Sequence, residues 1–346
     1  MRKLIIIALF ISILVVPVCA LDYTAPSVPE SGEELMPAEI ETFGQGLWKV
    51  VLSALDKLQP SIVNACRTCV SLIAVVLLVS VVQGISEKNK GVLELVATLG
   101  IAGVLLYQTG SLIQLSAQTV TELSEYGKLL LPVMTAALAA QGGATTSAAL
   151  YGGTAAFNAL LCSTVSRLLV PLCYGYMILS VATGAIGNEL LQKLRDLVKW
   201  LVTWVLKIVL YAFTGYMGIT GVVSGTTDAA ALKVTKMAIS GMVPVVGGLM
   251  ADASESVLIS AGVLKNAAGI YGIIALIAVW IAPFLEVGVQ YLLLKGTGAL
   301  CAALGSKRPA DLIHDFSSAL GLLLAMTGAV CILLLISTVC FMKGVG

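Results

Sequence analysis

Charge is what this chain holds least of: 11% of its 346 residues are Asp, Glu, Lys or Arg, where soluble domains carry about 25%. Histidine is nearly absent too, with His314 standing alone. No H-E-x-x-H, no cluster of His with acids and no P-loop Lys motif occurs, which leaves no metal centre or nucleotide cradle to name. No nucleophile–base pair is written either, so the sequence points away from an enzyme and calls for no cofactor. Neither a basic tail nor a basic patch suggests nucleic acid, and no hydrophilic stretch is long enough to fold apart. What is present is apolar: 58% of the residues are hydrophobic, and the mean hydropathy is +1.00. The expected fold class is all-α, a polytopic helical membrane protein whose first partner is the lipid bilayer.

Residues 1–20 read as a signal peptide: Arg2 and Lys3, an apolar run from Leu4, then Val18-Cys19-Ala20. An uncleaved anchor or a lipid on Cys19 are the alternatives. Residues 21–61 form an extracytoplasmic lead. Its first stretch, 22–41, holds six acids and three prolines without Lys or Arg, a composition expected to stay unordered. An amphipathic helix follows, with Phe43, Leu47, Val50, Val51, Leu55 and Leu58 at helical spacing, Thr42 and Gln45 as a capping box, and Pro60 as its end. Its apolar face suits the membrane surface, a partner helix or the protein's own outer face. Of the eight cysteines, Cys66 and Cys69 form a C-R-T-C pair. Without a surrounding strand–helix pattern they read as small packing residues rather than a redox dithiol.

The polytopic region is 62–346. Spans are expected near 66–85, 92–113, 168–187, 200–222, 268–294 and 317–341. Two further apolar regions, 129–163 and 237–266, are interrupted, the first at Gln141-Gly142-Gly143 and Gly152-Gly153, the second at Gly247-Gly248 and Asp252–Glu255. Lys and Arg in short loops set orientation. If each interrupted region enters and leaves on one side, loops 86–91, 188–199 and 295–315 are all cytoplasmic. Loop 116–128 and both termini then lie outside. Lys233 and Lys236 count mildly against this scheme.

The chain also echoes itself. Pro132-Val133 recurs at Pro244-Val245, and Pro171 recurs at Pro283 with the same offset. Tyr107 with Thr109-Gly110 resembles Tyr211 with Thr214-Gly215. Their common order suggests a tandem duplication, span–hairpin–span, with copies near 92–199 and 200–315 and a final span at 317–341. Paired broken segments are the best sequence pointer to a substrate path. The polar stretch of the second copy therefore supplies candidates for a path or a partner contact: Gly247, Gly248, Asp252, Glu255, Lys265 and Asn266. A wet turn between ordinary helices is the plain alternative. Lys207 and Glu286, expected at one depth inside their spans, form a candidate intramembrane ion pair, structural or functional; Lys207 could instead snorkel.

KMAISGMVPVVGGLMADASESVLISAGVLKNAAG (236–269), with YMGITGVVSG (216–225) upstream, resembles the stage III sporulation protein AE family of endospore-forming bacteria. The likeness extends over essentially the whole mature chain. It implies a multi-pass subunit of the channel or secretion-like complex that joins mother cell to forespore. The subunit would sit in the mother-cell membrane facing the forespore. Its implied partners are the other membrane proteins of the stage III sporulation A operon and a forespore membrane partner. A secondary transporter or a non-conducting scaffold of the same complex are the competing readings. No catalytic residues carry over from the family.

Overall fold

The computed structural model describes residues 26–37, 42–85, 90–242, 247–305 and 307–343, with the backbone alone over 83–85, 221–242 and 247–261 and at 90 and 264. The expected signal segment, 1–20, lies outside the described residues. The described residues are mostly helical, without a strand among them: α1 (Glu30–Glu33), α2 (Phe43–Ile85), α3 (Lys90–Ala140), α4 (Ala144–Thr164), a π-helical turn (Val165–Leu169), α5 (Val170–Ile186), α6 (Glu189–Met242), α7 (Gly247–Ala303) and α8 (Lys307–Lys343). Six segments among the described residues are long and apolar enough to cross a membrane. Each expected span maps onto one of them, and the chain is an all-α polytopic membrane protein.

The helices run up and down. Where the turns are described they are single left-handed glycines, Gly142 (φ 90), Gly187 (φ 73) and Gly305 (φ 83), a region open to Gly and closed to most other residues. Gly142 lies in the Gln141–Gly143 break read from the sequence. Asn188 caps the start of α6, its Oδ1 accepting the Leu190 N–H at 2.9 Å. Pro171 has no N–H to give to the turn before it, and the wider π-helical turn at Val165–Leu169 absorbs that loss without ending the helix.

Two expectations about the path of the chain are corrected. Residues 116–128 are not a loop but the middle of α3, with Thr119, Val120, Leu123, Ser124 and Tyr126 buried. The chain therefore does not turn back between the span and the interrupted region 129–163; the arms of that region are straight continuations of α3 and α4–α5. Gly152-Gly153 does not break α4. Gly247 through Glu255 are helical in α7, while 243–246 lie outside the described residues. Likewise 189–199 and 307–315 are helix rather than loop, leaving short connections at the basic clusters.

The lead is also more ordered than its composition suggests. Leu35 is 2% exposed and, with Met36, packs against Val50 and Ala54 of α2 and Ile274 and Ala278 of α7. Ser31 donates to Glu122, and Lys57 pairs with Glu34. Gly32 lies so close to Val279 that an added Cβ would stand 2.6 Å from its Cγ2. The expected amphipathic helix thus covers the protein's own α7. The N–H of Gln45 bonds Thr42 Oγ1 at 3.4 Å, one half of the expected capping box. The helix passes through Pro60 and continues to Ile85, since long apolar packing further along holds the segment in register.

At the centre stands α8. Its most apolar window is 61% buried, against 22–33% for the windows of α2 through α6. It packs most heavily on α7 and also meets α3, α4, α5 and α6.

Candidate functional site

The bundle is taller than a bilayer. The 51 residues of α3 extend about 76 Å at 1.5 Å per residue, whereas a hydrocarbon core is about 30 Å thick. The exposed faces show which part is immersed. On α3 the outward residues from the 86–89 end are Val92, Val96, Leu99, Val104 and Tyr107, the last 88% exposed. Beyond it polar residues enter the outward face, Ser111, Gln114, Gln118, Glu125 and Lys128, before apolar exposure returns at Leu129 (49%). The change falls about 26 Å from Lys90. On α6, Trp200 and Trp204 are exposed over the matching height, and Tyr211 is exposed about 7 Å beyond it. Exposed apolar surface bounded by aromatic residues is the signature of a lipid-facing belt. The belt occupies the end of the bundle that carries the basic connections.

Exposed cations mark the far edge of that belt. Arg67 on α2, Arg167 in the π-helical turn and Lys207 on α6 are all exposed, and each lies about 27 Å along its helix from the basic end. Glu286 on α7 lies at a similar height. Lys207 and Glu286 thus stand at similar heights along their helices, and no ion pair joins them among the described residues. Lys207 is exposed at the edge of the belt, a height at which a lysine can snorkel to the headgroup region without a counter-ion.

Glu286 instead opens into a cavity of about 200 Å³ between α2, α3 and α7, shared with Ser61, Asn64, Gln108, Ser111 and Gln290. Gln290 is 4% exposed. Its Nε2 and the Gln108 Oε1 are buried without a hydrogen-bond partner. A carboxylate and amides left unpaired at the edge of a membrane form a polar notch with unused capacity for a ligand, water or a partner side chain.

Above the belt, polar groups tie the helices together. Thr154 Oγ1 donates to Ser337 Oγ at 3.0 Å. Tyr216 donates to the Ala149 carbonyl at 2.9 Å. An added Cβ at Gly153 would stand 1.9 Å from the Tyr216 ring, so the α4–α6 contact requires glycine there.

The remaining sequence candidates fall at the far end. Gly247, Gly248, Asp252 and Glu255 lie in the first turns of α7, known in backbone only. Lys265 is buried at 6% exposure, and Asn266 is exposed. Gln141, at the turn between α3 and α4, rests on α7: an added Cβ at Gly262 would stand 2.6 Å from its Nε2. The first turn therefore reaches the same stretch of α7 that holds Lys265 and Asn266.

A second charged site, not read from the sequence, lies at the basic end. Arg195 of α6 pairs with Asp315 of α8 and with its neighbour Asp196, and Arg308 Nε stands 3.7 Å from Glu94. Arg195, Arg308 and Asp315 border a cavity of about 440 Å³. Arg195 and Asp315 are 120 residues apart, a separation no periodicity argument connects. His314, expected in a solvated loop, is exposed on α8 at this cavity. The seven described cysteines are free, and no metal-ligand cluster is found among the described residues.

The family model described as Stage III sporulation protein AE matches residues 34–344. The Stage III sporulation protein AE of Bacillus subtilis (strain 168) is 26% identical over 197 residues, covering 56% of this chain and 48% of that relative. The chain thus spans about half the length of the relative it matches. No solved structure matches.

Proposed function

The chain belongs to the stage III sporulation protein AE family, and on that premise we propose that it is a membrane subunit of the channel or secretion-like complex between mother cell and forespore. It acts there without catalytic chemistry of its own. Its basic connections face the mother-cell cytoplasm and its long helical end faces the forespore. Its partners are the other membrane proteins of the stage III sporulation A operon and a protein of the forespore membrane. The observation that carries this reading is the family match along 34–344. Six helices among the described residues that are long and apolar enough to cross a membrane support it.

In this reading Gly247, Gly248, Asp252, Glu255, Lys265 and Asn266 contribute a polar path or a partner contact at the far end. The tandem duplication belongs to the same proposal, with its copies near 92–199 and 200–315. A secondary transporter is the second reading, favoured by the notch at Glu286, since polar groups near a membrane mark substrate paths.

The experiment replaces the gene with a variant carrying Asp252→Asn and Glu255→Gln, and separately Gly247→Leu. Membrane abundance is measured beside heat-resistant spore yield. The proposal expects normal abundance and failed sporulation. Wild-type yield from the double variant removes these acids from the function. Wild-type yield from a full deletion removes the proposed role.

A further inference from the structure

The cavity at the basic end has the chemistry of an anion site. Three cations, Arg195, Lys307 and Arg308, and two acids, Asp311 and Asp315, line it. Asp315 is already engaged by Arg195. Lys307 makes no ion pair among the described residues, and the only pairing of Arg308 there is the long contact with Glu94. Asp311, like Lys307, makes no ion pair among the described residues, so cations outnumber acids in the lining by three to two.

A hydroxyl points the same way. Thr183 lines the cavity and is 7% exposed, yet its Oγ1 has no hydrogen-bond partner. Helical threonines commonly satisfy this hydroxyl on the carbonyl one turn back, and several others in this chain do, Thr98 and Thr119 among them. A buried hydroxyl without a partner implies one from outside the chain. Gly187 turns the backbone here with φ 73, and the nearest atom to an added Cβ would be Nη2 of Arg308 at 3.7 Å. The corner is therefore open enough to admit a group of several atoms.

Height decides what that group is attached to. The cavity lies at the helix ends, level with the exposed Ile186 (69%) and Leu190 (61%) that begin the lipid-facing belt. Basic pockets between membrane helices at this level select phosphate headgroups. We propose that the cavity holds the phosphate of an anionic phospholipid, gripped by Lys307 and Arg308 and accepting the Thr183 hydroxyl. The assignment to the cytoplasmic leaflet rests on the orientation proposed above; the chemistry does not.

The test uses the full chain purified in neutral detergent. Retention of phosphatidylglycerol, phosphatidylcholine and inorganic phosphate is compared by native mass spectrometry and by thermal stabilisation. The expected result is preferential retention of phosphatidylglycerol. Thr183→Val and Lys307→Gln should each lower its affinity about tenfold, the effect of losing one charge-assisted hydrogen bond. Lys128→Gln, at the other end of the bundle, should not. Equal retention of phosphatidylcholine overturns the proposal, as does unchanged affinity in both cavity variants. Saturation by inorganic phosphate without preference for lipid overturns the lipid assignment. Lys307 is exposed, so its variant decides the matter even if Thr183→Val does not fold. Inverted topology would change only the leaflet, and lipid binding in detergent is blind to it.

Discussion

Asn158 of α4 donates through Nδ2 to both the hydroxyl and the carbonyl of Ser124 on α3, at 3.1 and 3.3 Å. Both residues are buried, and they fasten the arms on either side of the Gln141–Gly143 turn. Asn158→Leu leaves the Ser124 groups with a lost partner inside the bundle. The expected cost is about 1 kcal/mol, read as a lowered thermal midpoint in detergent. An unchanged midpoint would mean that water reaches Ser124.

Adjacent glycines in α4 make a paired prediction. Nothing lies within 4 Å of an added Cβ at Gly152, whereas at Gly153 the Tyr216 ring is in the way. Gly152→Ala is expected to be neutral or slightly stabilising, because it removes backbone freedom from the unfolded chain. Gly153→Ala must push Tyr216 off the Ala149 carbonyl and should cost about 1–3 kcal/mol. Equal melting of the two variants would contradict the close α4–α6 approach.

Topology can be read by single-cysteine labelling in a cysteine-free background. Asn188→Cys at the basic end is expected to react from the cytoplasm, and Gln118→Cys on the polar face of α3 from outside. The Lys and Arg distribution is the warrant. The reverse pattern would invert the orientation while leaving the bundle as it is.

Lys207 and Glu286 should behave independently. Groups that do not touch add within about 0.5 kcal/mol, so Lys207→Met, Glu286→Gln and the double change should give additive shifts in stability. Glu286→Gln should reduce spore yield through the notch it shares with Gln108 and Gln290, and Lys207→Met should not. A double variant healthier than either single one would restore the ion pair that the geometry denies.

Helix-forming segments and the basic connections could be read from the sequence because both signals are local: apolar length, and Lys or Arg beside a break. The turn at Gln141–Gly143 was legible for the same reason, through a Gly that must take positive φ. Residues 116–128 were misread because a linear scan of hydropathy treats Gln114, Gln118, Glu125 and Lys128 as a wet loop. They are one face of a helix whose other face carries Val120, Leu123 and Tyr126. The docking of Leu35 and the pairing of Arg195 with Asp315 were invisible because each depends on where a distant helix lies. Thr183 gave no signal at all; only its missing partner distinguishes it from the other helical threonines.

The switch on α3 from Tyr107 to Ser111 fixes more than a boundary. From Tyr107 the helix continues to Ala140, about 50 Å of further rise. The protein is thus a pillar as well as a set of membrane spans. On the function proposed above, a partner anchored in a facing bilayer would not need to cross the whole intervening space to meet it. On that same proposal, the width of the space, as much as any side chain, would set whether the turn at Gln141–Gly143 makes contact.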